Sequence, residues 1–169
     1  DIRIDSEDPA NVPGEIQAKG DSVMSGYYKN EEATKATFTE DGWLKTGDMG
    51  LMDKNENIFI KGRCKNMILT ANGQNVYPEE IEDIINQLPF VAESLVVGRK
   101  HGLVALVVVN TDAVAEAGIA QADLHGRIEA EVFELNAKLP TYSKITACEL
   151  MAEPFEKTPK RSIRRGLYK

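Results

Sequence analysis

Two apolar runs separated by a short polar segment constrain the fold of this 169-residue chain more than any other feature. Val91–Val97 and Leu103–Val109 are each seven residues long and rich in β-branched residues, and Arg99-Lys100-His101-Gly102 lies between them. Each run is far too short for the ~20 apolar residues of a membrane-spanning helix, so no transmembrane segment is expected. The pattern predicts a β-hairpin that is buried on one face and partly covered on the other.

Further elements complete a compact unit around this hairpin. Pro78 suits the first turn of a helix, because its missing N–H would be unpaired there anyway. The apolar residues that follow it at helical spacing are Ile81, Ile84, Ile85 and Leu88. A second helical stripe consists of Leu124, Ile128, Val132, Leu135 and Leu139. A brief strand at Met67–Leu69, a loop at Thr70–Tyr77 and a strand at Ile145–Leu150 are also predicted. The fold class is therefore α+β, with a three-stranded sheet covered by two main helices.

The first part of the chain has a different character. Short apolar segments separated by turns predict strands over Glu15–Val23, Trp43-Leu44, Asp48–Met52 and Ile58–Ile60. Residues 1–13 predict a loop, and Asn30 predicts the N-cap of a helix over Glu31–Phe38. Such spacing is typical of a partial small β-barrel or sheet. Composition and element type both change near Arg63–Asn66, which predicts a domain boundary there.

The charge is unevenly distributed along the chain. There are 20 basic and 27 acidic residues, and the resulting net charge of −7 argues against a general nucleic-acid binder, which needs a basic surface. Residues 157–169 nevertheless hold six basic residues and no acidic one. This basic tail indicates local contact with an anion, and a solvated terminal segment explains the charge equally well.

The standard catalytic and metal-binding patterns do not occur in this sequence. His101 and His125 lie in polar contexts and form no Ser-His-Asp arrangement. Cys64 and Cys148 give neither a disulfide framework nor a metal-ligand spacing, and there is no Gly-x-x-x-x-Gly-Lys-Ser/Thr phosphate loop. Without a secretory leader pattern, the expected compartment is the reducing cytoplasm, with peripheral attachment to a membrane left open.

Five motifs follow one another in a single order. They are Gly14-Glu-Ile-Gln-Ala-Lys-Gly20, Val23-Met-Ser-Gly-Tyr-Tyr28, Asp41-Gly-Trp-Leu-Lys-Thr-Gly-Asp48, Gly62-Arg-Cys-Lys65 and Gly73-Gln-Asn-Val-Tyr-Pro-Glu-Glu-Ile-Glu82. Each motif is weak alone, but together they resemble the C-terminal third of the adenylate-forming enzymes: acyl-CoA synthetases, peptide-synthetase adenylation domains and luciferases. The last motif is most similar to long-chain fatty-acid–CoA ligases. The resemblance covers nearly the whole chain, which we therefore expect to be a fragment of a longer protein.

The resemblance implies a two-step ligase. A carboxylic acid, here expected to be a fatty acid, and ATP with Mg²⁺ would form an acyl-adenylate and pyrophosphate. The thiol of CoA would then displace AMP to give a thioester. The resemblance also implies that residues 1–62 end a large N-terminal domain, that 63–66 form a hinge, and that 67–169 are a mobile C-terminal domain. The partners expected are the acid, ATP, CoA and the rest of the N-terminal domain.

The same resemblance assigns nucleotide contacts to two residues. Asp48 matches an aspartate that holds both ribose hydroxyls of the nucleotide, and a carboxylate suits this role because it accepts two hydrogen bonds. Arg63 matches an arginine that contacts the ribose or a phosphate, for which a forked, permanently charged donor is suited. Thr46-Gly47 predicts a tight turn before Asp48. The alternatives are a turn aspartate bonded to its own backbone and a surface salt bridge.

Two further assignments concern domain movement. Lys65 matches the hinge at which the small domain swings on the large one between the two half-reactions. Gly73 and its neighbour Gln74 match a loop that approaches the phosphopantetheine arm of CoA after the swing. Glycine permits close backbone approach, although at this position it could equally serve only a positive-φ turn.

The basic tail departs from the family pattern, which closes with Pro-x-Thr-x-x-Gly-Lys-φ-x-Arg, where φ is apolar. The lysine of that pattern bridges the acid and the phosphate during adenylation. Counting from Pro154 places Lys160 at its position, whereas alignment on Thr158 and Ile163 places Ser162 there. Because serine cannot supply the charge, we expect Lys160 to serve as the catalytic cation. Substitution by a neighbouring arginine, impaired adenylation and a merely basic surface remain alternatives.

Two other functions are compatible with the sequence. The acid could be an aryl, short-chain or amino acid, and the acceptor a carrier-protein thiol, because the acyl pocket is expected to lie upstream of Asp1. A non-catalytic binding or interaction module would explain the basic tail without chemistry, but it has no need for Asp48 and Arg63. We expect the 169-residue chain alone to make no acyl-adenylate.

Overall fold

The structure is a computed structural model that describes residues 1–168, and it divides the chain into two compact units. The first unit is Asp1–Lys65, and the second begins at Asn66. The division falls within residues 63–66, the segment for which the sequence predicts a hinge. Each unit has its own sheet hydrogen bonding.

The first unit is built on an open antiparallel sheet. Its strands, in spatial order, are β1 (Ile2–Asp5), β2 (Gly14–Ala18), β3 (Leu44–Met52) and β4 (Ile58–Arg63). Helix α1 (Glu31–Thr37) begins after Asn30, whose side chain accepts a hydrogen bond from the backbone N–H of Ala33 as an N-cap. The open sheet confirms the predicted partial barrel or sheet.

Three predictions for this unit are wrong. The strand predicted over Glu15–Val23 ends at Ala18. Residues 1–13 are not wholly loop, because β1 pairs with β2 and places Ile4 opposite Ile16, both of them buried. A four-residue strand gives little periodic signal, and only its pairing partner stabilises it. The two short strands predicted around Trp43 and Asp48 are one continuous strand, β3, which carries a bulge.

Among residues 66–168, the second unit contains two sheets and three α-helices. The small sheet pairs β5 (Ile68–Leu69) with β6 (Asn75–Val76). The main sheet has the order β7 (Val91–Arg99), β8 (Gly102–Val109) and β9 (Ile145–Leu150). The helices are α2 (Pro78–Ile85), α3 (Thr111–Glu116) and α4 (Gln121–Glu134). β7 and β8 form the predicted antiparallel hairpin, and β9 joins β8 in parallel. The predicted three-stranded sheet and the α+β class are confirmed.

The main sheet is buried on both faces. On one face, Val96 and Val107 pack with residues of α2 and α4, such as Ile85 and Ile128. On the other face, Leu95 and its neighbours pack against the chain segment that follows β9. That segment contributes the apolar residues Phe155, Ile163 and Tyr168. The segment after β9 thus packs on the sheet through its apolar residues, while basic residues of the tail such as Lys160, Arg161 and Arg164 remain exposed to solvent.

Short elements account for the remaining differences in this unit. The predicted loop Thr70–Tyr77 contains β6, and α3 was not predicted because six residues carry too little helical periodicity. The Asn110 side chain caps α3 by accepting from the N–H of Ala113. Among residues 1–168, no helix combines the length and the apolar character needed to cross a membrane.

Candidate functional site

Asp48 and Arg63 face each other across the first sheet. Asp48 lies in β3, and Arg63 is the last residue of β4, directly opposite it in the antiparallel register. Nη1 of Arg63 donates to Oδ1 of Asp48 at 2.7 Å. The Arg63 side chain is 48% exposed and the Asp48 side chain 30% exposed. The sheet thus brings together the two residues to which the sequence assigns the nucleotide, and it leaves both open to solvent.

Two irregularities lie beside this pair. Between β3 and β4 the register shifts by one residue at Met49/Gly50, which places Arg63 opposite Asp48, and β3 also bulges against β2. Lys45 pairs with Gln17 and Met49 with Glu15, so that residues 46–48 of β3 lie opposite the single residue 16 of β2. Gly47 within the bulge has a φ of +75°, a left-handed conformation that disfavours residues with a Cβ. The tight turn predicted for Thr46-Gly47 is therefore a bulge inside a strand, which is a common device for redirecting a side chain.

Side-chain hydrogen bonds hold the bulge in place. Oγ1 of Thr46 donates to the carbonyl oxygen of Ile16 at 2.7 Å and accepts from the N–H of Asp48 at 3.1 Å. These bonds give backbone groups within the bulge hydrogen-bond partners. Thr46 thus holds the backbone N–H of Asp48, and Arg63 holds its side chain.

Glu15 belongs to the same cluster, although no motif assigns it a role. Its Oε1 accepts the N–H of Gly47 at 3.1 Å. Burial raises the pKa of the nearby Cys64 thiol, and the negative charges of Glu15 and Asp48 raise it further. Glu15 follows Gly14 in the first motif, but its role depends on strand register, which no single motif specifies.

The Asp48–Arg63 pair has spare hydrogen-bonding capacity. The ion pair uses one carboxylate oxygen, whereas a carboxylate offers about four acceptor sites and a guanidinium five N–H donors. A ligand with two adjacent hydroxyl groups could therefore donate to Asp48 while a phosphate or hydroxyl oxygen accepts from Arg63. The Trp43 ring instead contacts Arg3, whose guanidinium carbon lies 4.5 Å from the ring centroid.

The residues assigned to movement lie on exposed turns. Lys65 is exposed within the 3₁₀ turn Cys64–Asn66, immediately after β4. Gly73 and Gln74 are exposed in the turn between β5 and β6, where the N–H of Gly73 donates to the carbonyl of Thr70 at 2.9 Å. Gly73 has a φ of +75°, and a Cβ placed on it would meet no atom within 4 Å. The turn thus requires glycine for its backbone conformation rather than for space.

Lys160 lies at the corner of a turn in the basic tail. The N–H of Arg161 donates to the carbonyl of Thr158 at 2.8 Å, and the N–H of Thr158 donates to the carbonyl of Ser162 at 2.8 Å. The chain therefore reverses direction here. Lys160 and Ser162 are both exposed. Arg161 has a φ of +62°, a left-handed conformation that favours glycine. Alignment on Thr158 places the glycine of the family pattern at Arg161, where the backbone conformation suits a glycine, whereas counting from Pro154 places the lysine of the pattern at Lys160.

The described residues contain no cluster of three or more His, Cys, Asp or Glu side chains that could hold a metal ion. The residues assigned to ligands by the resemblance lie in both units: Asp48 and Arg63 in the first, and the turns that carry Gly73 and Lys160 in the second.

Comparison with known proteins places this geometry in context. Residues 65–169 match the family described as AMP-binding enzyme C-terminal domain. The chain is 43% identical to a long-chain-fatty-acid–CoA ligase of Mycobacterium tuberculosis over 101 residues, covering 59% of this chain and 17% of that protein. It is 38% identical to an indoleacetate–CoA ligase of Aromatoleum aromaticum over 136 residues, covering 75% of this chain and 26% of that protein.

A solved structure shares the fold over the whole chain. It is the o-succinylbenzoate CoA synthetase of Bacillus subtilis in complex with its acyl-adenylate intermediate, with a TM-score of 0.79 and 25% identity. The match covers 100% of this chain and 33% of that protein. The chain thus spans between about a sixth and a third of the length of these relatives.

Proposed function

Because the chain belongs to the AMP-binding enzyme C-terminal domain family of the adenylate-forming enzymes, we propose that it is the C-terminal part of an ATP-dependent acid–CoA ligase. In the first half-reaction, a carboxylate oxygen of the acid attacks the α-phosphorus of ATP, and pyrophosphate leaves. In the second, the sulfur of CoA attacks the acyl carbon, its proton is lost, and AMP leaves. Mg²⁺ would arrive bound to the phosphates of ATP.

The single observation that carries this proposal is the ion pair between Asp48 and Arg63. Its register and its partial exposure suit a site that receives a ligand from solvent. Asp48 would accept hydrogen bonds from both ribose hydroxyls, and Arg63 would hold Asp48 in place while donating to the ribose or a phosphate. The contact is also a surface salt bridge, the alternative considered for Arg63. Such an exposed pair adds little to stability, so a ligand could share it at little cost to the fold.

The proposed acid is a long-chain fatty acid. Its support is the Gly73–Glu82 motif together with the fatty-acid–CoA ligase among the relatives. Relatives that act on indoleacetate and o-succinylbenzoate support an aromatic acid as the alternative. The acyl pocket would lie in the remainder of the N-terminal domain, which would also be the partner of this chain.

Movement about Lys65 would separate the two half-reactions. Its exposed turn joins the end of β4 to the second unit, and hinges are a few such residues that absorb changes in φ and ψ. In the thioester-forming arrangement, the turn with Gly73 and Gln74 would approach the phosphopantetheine arm of CoA. The two units are compact in themselves, as rigid bodies that move relative to one another must be.

Two variants test whether Lys160 or position 162 supplies the tail cation in the first half-reaction. If Lys160 bridges the acid and the phosphate, Lys160→Ala slows adenylation and leaves thioester formation from supplied acyl-adenylate unchanged. If Ser162 occupies the lysine position, Ser162→Lys accelerates adenylation and Lys160→Ala has little effect. Single-turnover rates of pyrophosphate release distinguish the two results.

The proposed function is tested with the complete protein that contains this chain. We expect pyrophosphate release and acyl-CoA formation with palmitate, ATP and CoA, at rates above those with indoleacetate or succinylbenzoate. Reactions without CoA provide the control, because they should stop at the adenylate. Turnover of an aromatic acid alone would contradict the fatty-acid assignment, and no pyrophosphate release with any acid would contradict the ligase itself.

A further inference from the structure

The tail after β9 forms a hairpin anchored at its open end. Phe155 is buried, and its ring meets that of Tyr168 edge-on with centroids 5.1 Å apart. The N–H of Glu156 donates to the Tyr168 hydroxyl at 2.7 Å, and the N–H of Arg164 donates to the carbonyl of Glu156 at 2.8 Å. The closed end of this hairpin is the turn that carries Lys160. Both arms of the hairpin contact the rest of the unit, the first through Phe155 and the Lys157–Glu93 ion pair, and these contacts together with those of the second arm, residues 163–168, position the turn that carries Lys160.

Arg165, in the second arm of the hairpin, connects that arm to α2 and β7. Its Nη2 donates directly to Oε2 of Glu82 and lies 3.7 Å from Oε1 of Glu79. Its Nη1 donates to the carbonyl of Val96 at 3.5 Å. The Arg165 side chain is only 17% exposed. Buried arginines of this kind are held by paired carboxylates, since an unpaired buried charge is strongly unfavourable.

Glu82 is the central member of this group. Its side chain is 9% exposed, and its Oε1 accepts the N–H of Val96 in β7 at 2.7 Å. Burial raises the pKa of Glu82, whereas the charge of Arg165 and the N–H of Val96 act in the opposite direction. The carboxylate thus joins α2, β7 and the tail through two different oxygens.

Glu79 extends the same network toward the predicted hinge. Its Oε1 accepts a hydrogen bond from Nδ2 of Asn66 at 2.5 Å. Asn66 directly follows Lys65 in the chain. The side chains Asn66, Glu79, Arg165 and Glu82 therefore connect the first residue of the second unit to the hairpin that carries Lys160.

We propose that Arg165 is a positioning residue for adenylation, which acts through Glu82 and Glu79 to fix the tail hairpin relative to the residue that follows the hinge. This inference rests on the proposed function, because it assumes that the turn at 158–162 delivers a cation to the reacting phosphate. A long exposed lysine at a turn has many conformations, and positioning it against the phosphate costs conformational entropy. A backbone that is already held in place lowers this entropy cost. The second half-reaction uses no tail cation and does not require the network.

The test compares three variants of the complete protein. Arg165→Gln removes the charge, and Arg165→Lys retains it with fewer donors. Arg99→Gln is the matched control, because it breaks an exposed Arg–Glu pair, with Glu149, in the same unit. Hydrogen exchange of the Thr158 and Arg164 amides reports the hairpin directly. Single-turnover assays measure adenylation, and thioester formation from supplied acyl-adenylate, separately.

We expect Arg165→Gln to accelerate exchange of both amides by about tenfold or more and to slow adenylation by a similar factor, as loss of a charge-assisted hydrogen bond implies. Thioester formation should stay within about twofold of the wild type, Arg165→Lys should recover part of the adenylation rate, and Arg99→Gln should change neither quantity. Unchanged exchange in Arg165→Gln, or equal loss of both half-reactions, overturns the positioning role. Absence of adenylation in the wild type instead overturns the proposed function and is recognised before any variant is compared.

Discussion

Gly47→Ala tests the backbone on which the proposed nucleotide site depends. An L-residue at the observed φ of +75° costs about 1–2 kcal/mol. The smaller conformational entropy of alanine in the unfolded chain returns about 0.4–1 kcal/mol. A Cβ at this position would lie 3.6 Å from Nη2 of Arg63, which is ordinary van der Waals contact and adds no steric penalty. We therefore expect the free energy of unfolding of the first unit to fall by about 1 kcal/mol.

Urea denaturation of the 169-residue chain, followed by tryptophan fluorescence, measures this change in the free energy of unfolding. Trp43 is the only tryptophan of the chain and begins the segment that leads into β3, so its emission reports the first unit. Lys35→Ala, an exposed change in α1, provides the control and should shift the transition by less than about 0.5 kcal/mol. Unchanged or increased stability of Gly47→Ala would refute the positive-φ bulge. A loss above about 3 kcal/mol would show that the strand has no room beside Arg63.

Three further results are expected. Gly126→Ala, in the middle of α4 with no atom within 4 Å of an added Cβ, should raise the free energy of unfolding by about 0.8–1 kcal/mol in urea titrations followed by circular dichroism. Gly118→Ala has equal space but a φ of +66°, so the same assay should show a loss of about 1 kcal/mol. Burial raises the pKa of Cys148 to about 11, so that roughly one thiol in a thousand is ionised at pH 8; mass spectrometry should find it alkylated by iodoacetamide only after denaturation.

Local sequence patterns were sufficient for the main elements of the second unit. β7, β8 and the start of α2 at Pro78 follow from uninterrupted or periodic apolar residues and from a proline that favours the first helical turn. The parallel addition of β9 could not be predicted, because a parallel neighbour is fixed by the crossover rather than by the strand itself. β1 and β6 were missed because strands of two to four residues depend on their partners.

The candidate site was predicted as residue types but not as geometry. The motifs, through the family resemblance, indicated Asp48 and Arg63, yet their contact across 15 positions depends on the register of β3 and β4, which no motif specifies. Glu82 and Arg165 are 83 positions apart, and nothing local identifies them as partners. Sequence patterns thus indicate which groups are available, whereas register and long-range packing decide which of them meet.

The proposed nucleotide site is tested most directly by comparing ATP with 2′,3′-dideoxy-ATP in calorimetric titrations of the complete protein. If Asp48 accepts hydrogen bonds from both ribose hydroxyls, the wild type should bind ATP at least about tenfold more tightly than the dideoxy analogue, because each charge-assisted bond contributes about 1.5–3 kcal/mol. Asp48→Ala should bind the two nucleotides equally and with the lower affinity. A variant that still prefers ATP by the wild-type factor would show that the ribose is recognised elsewhere.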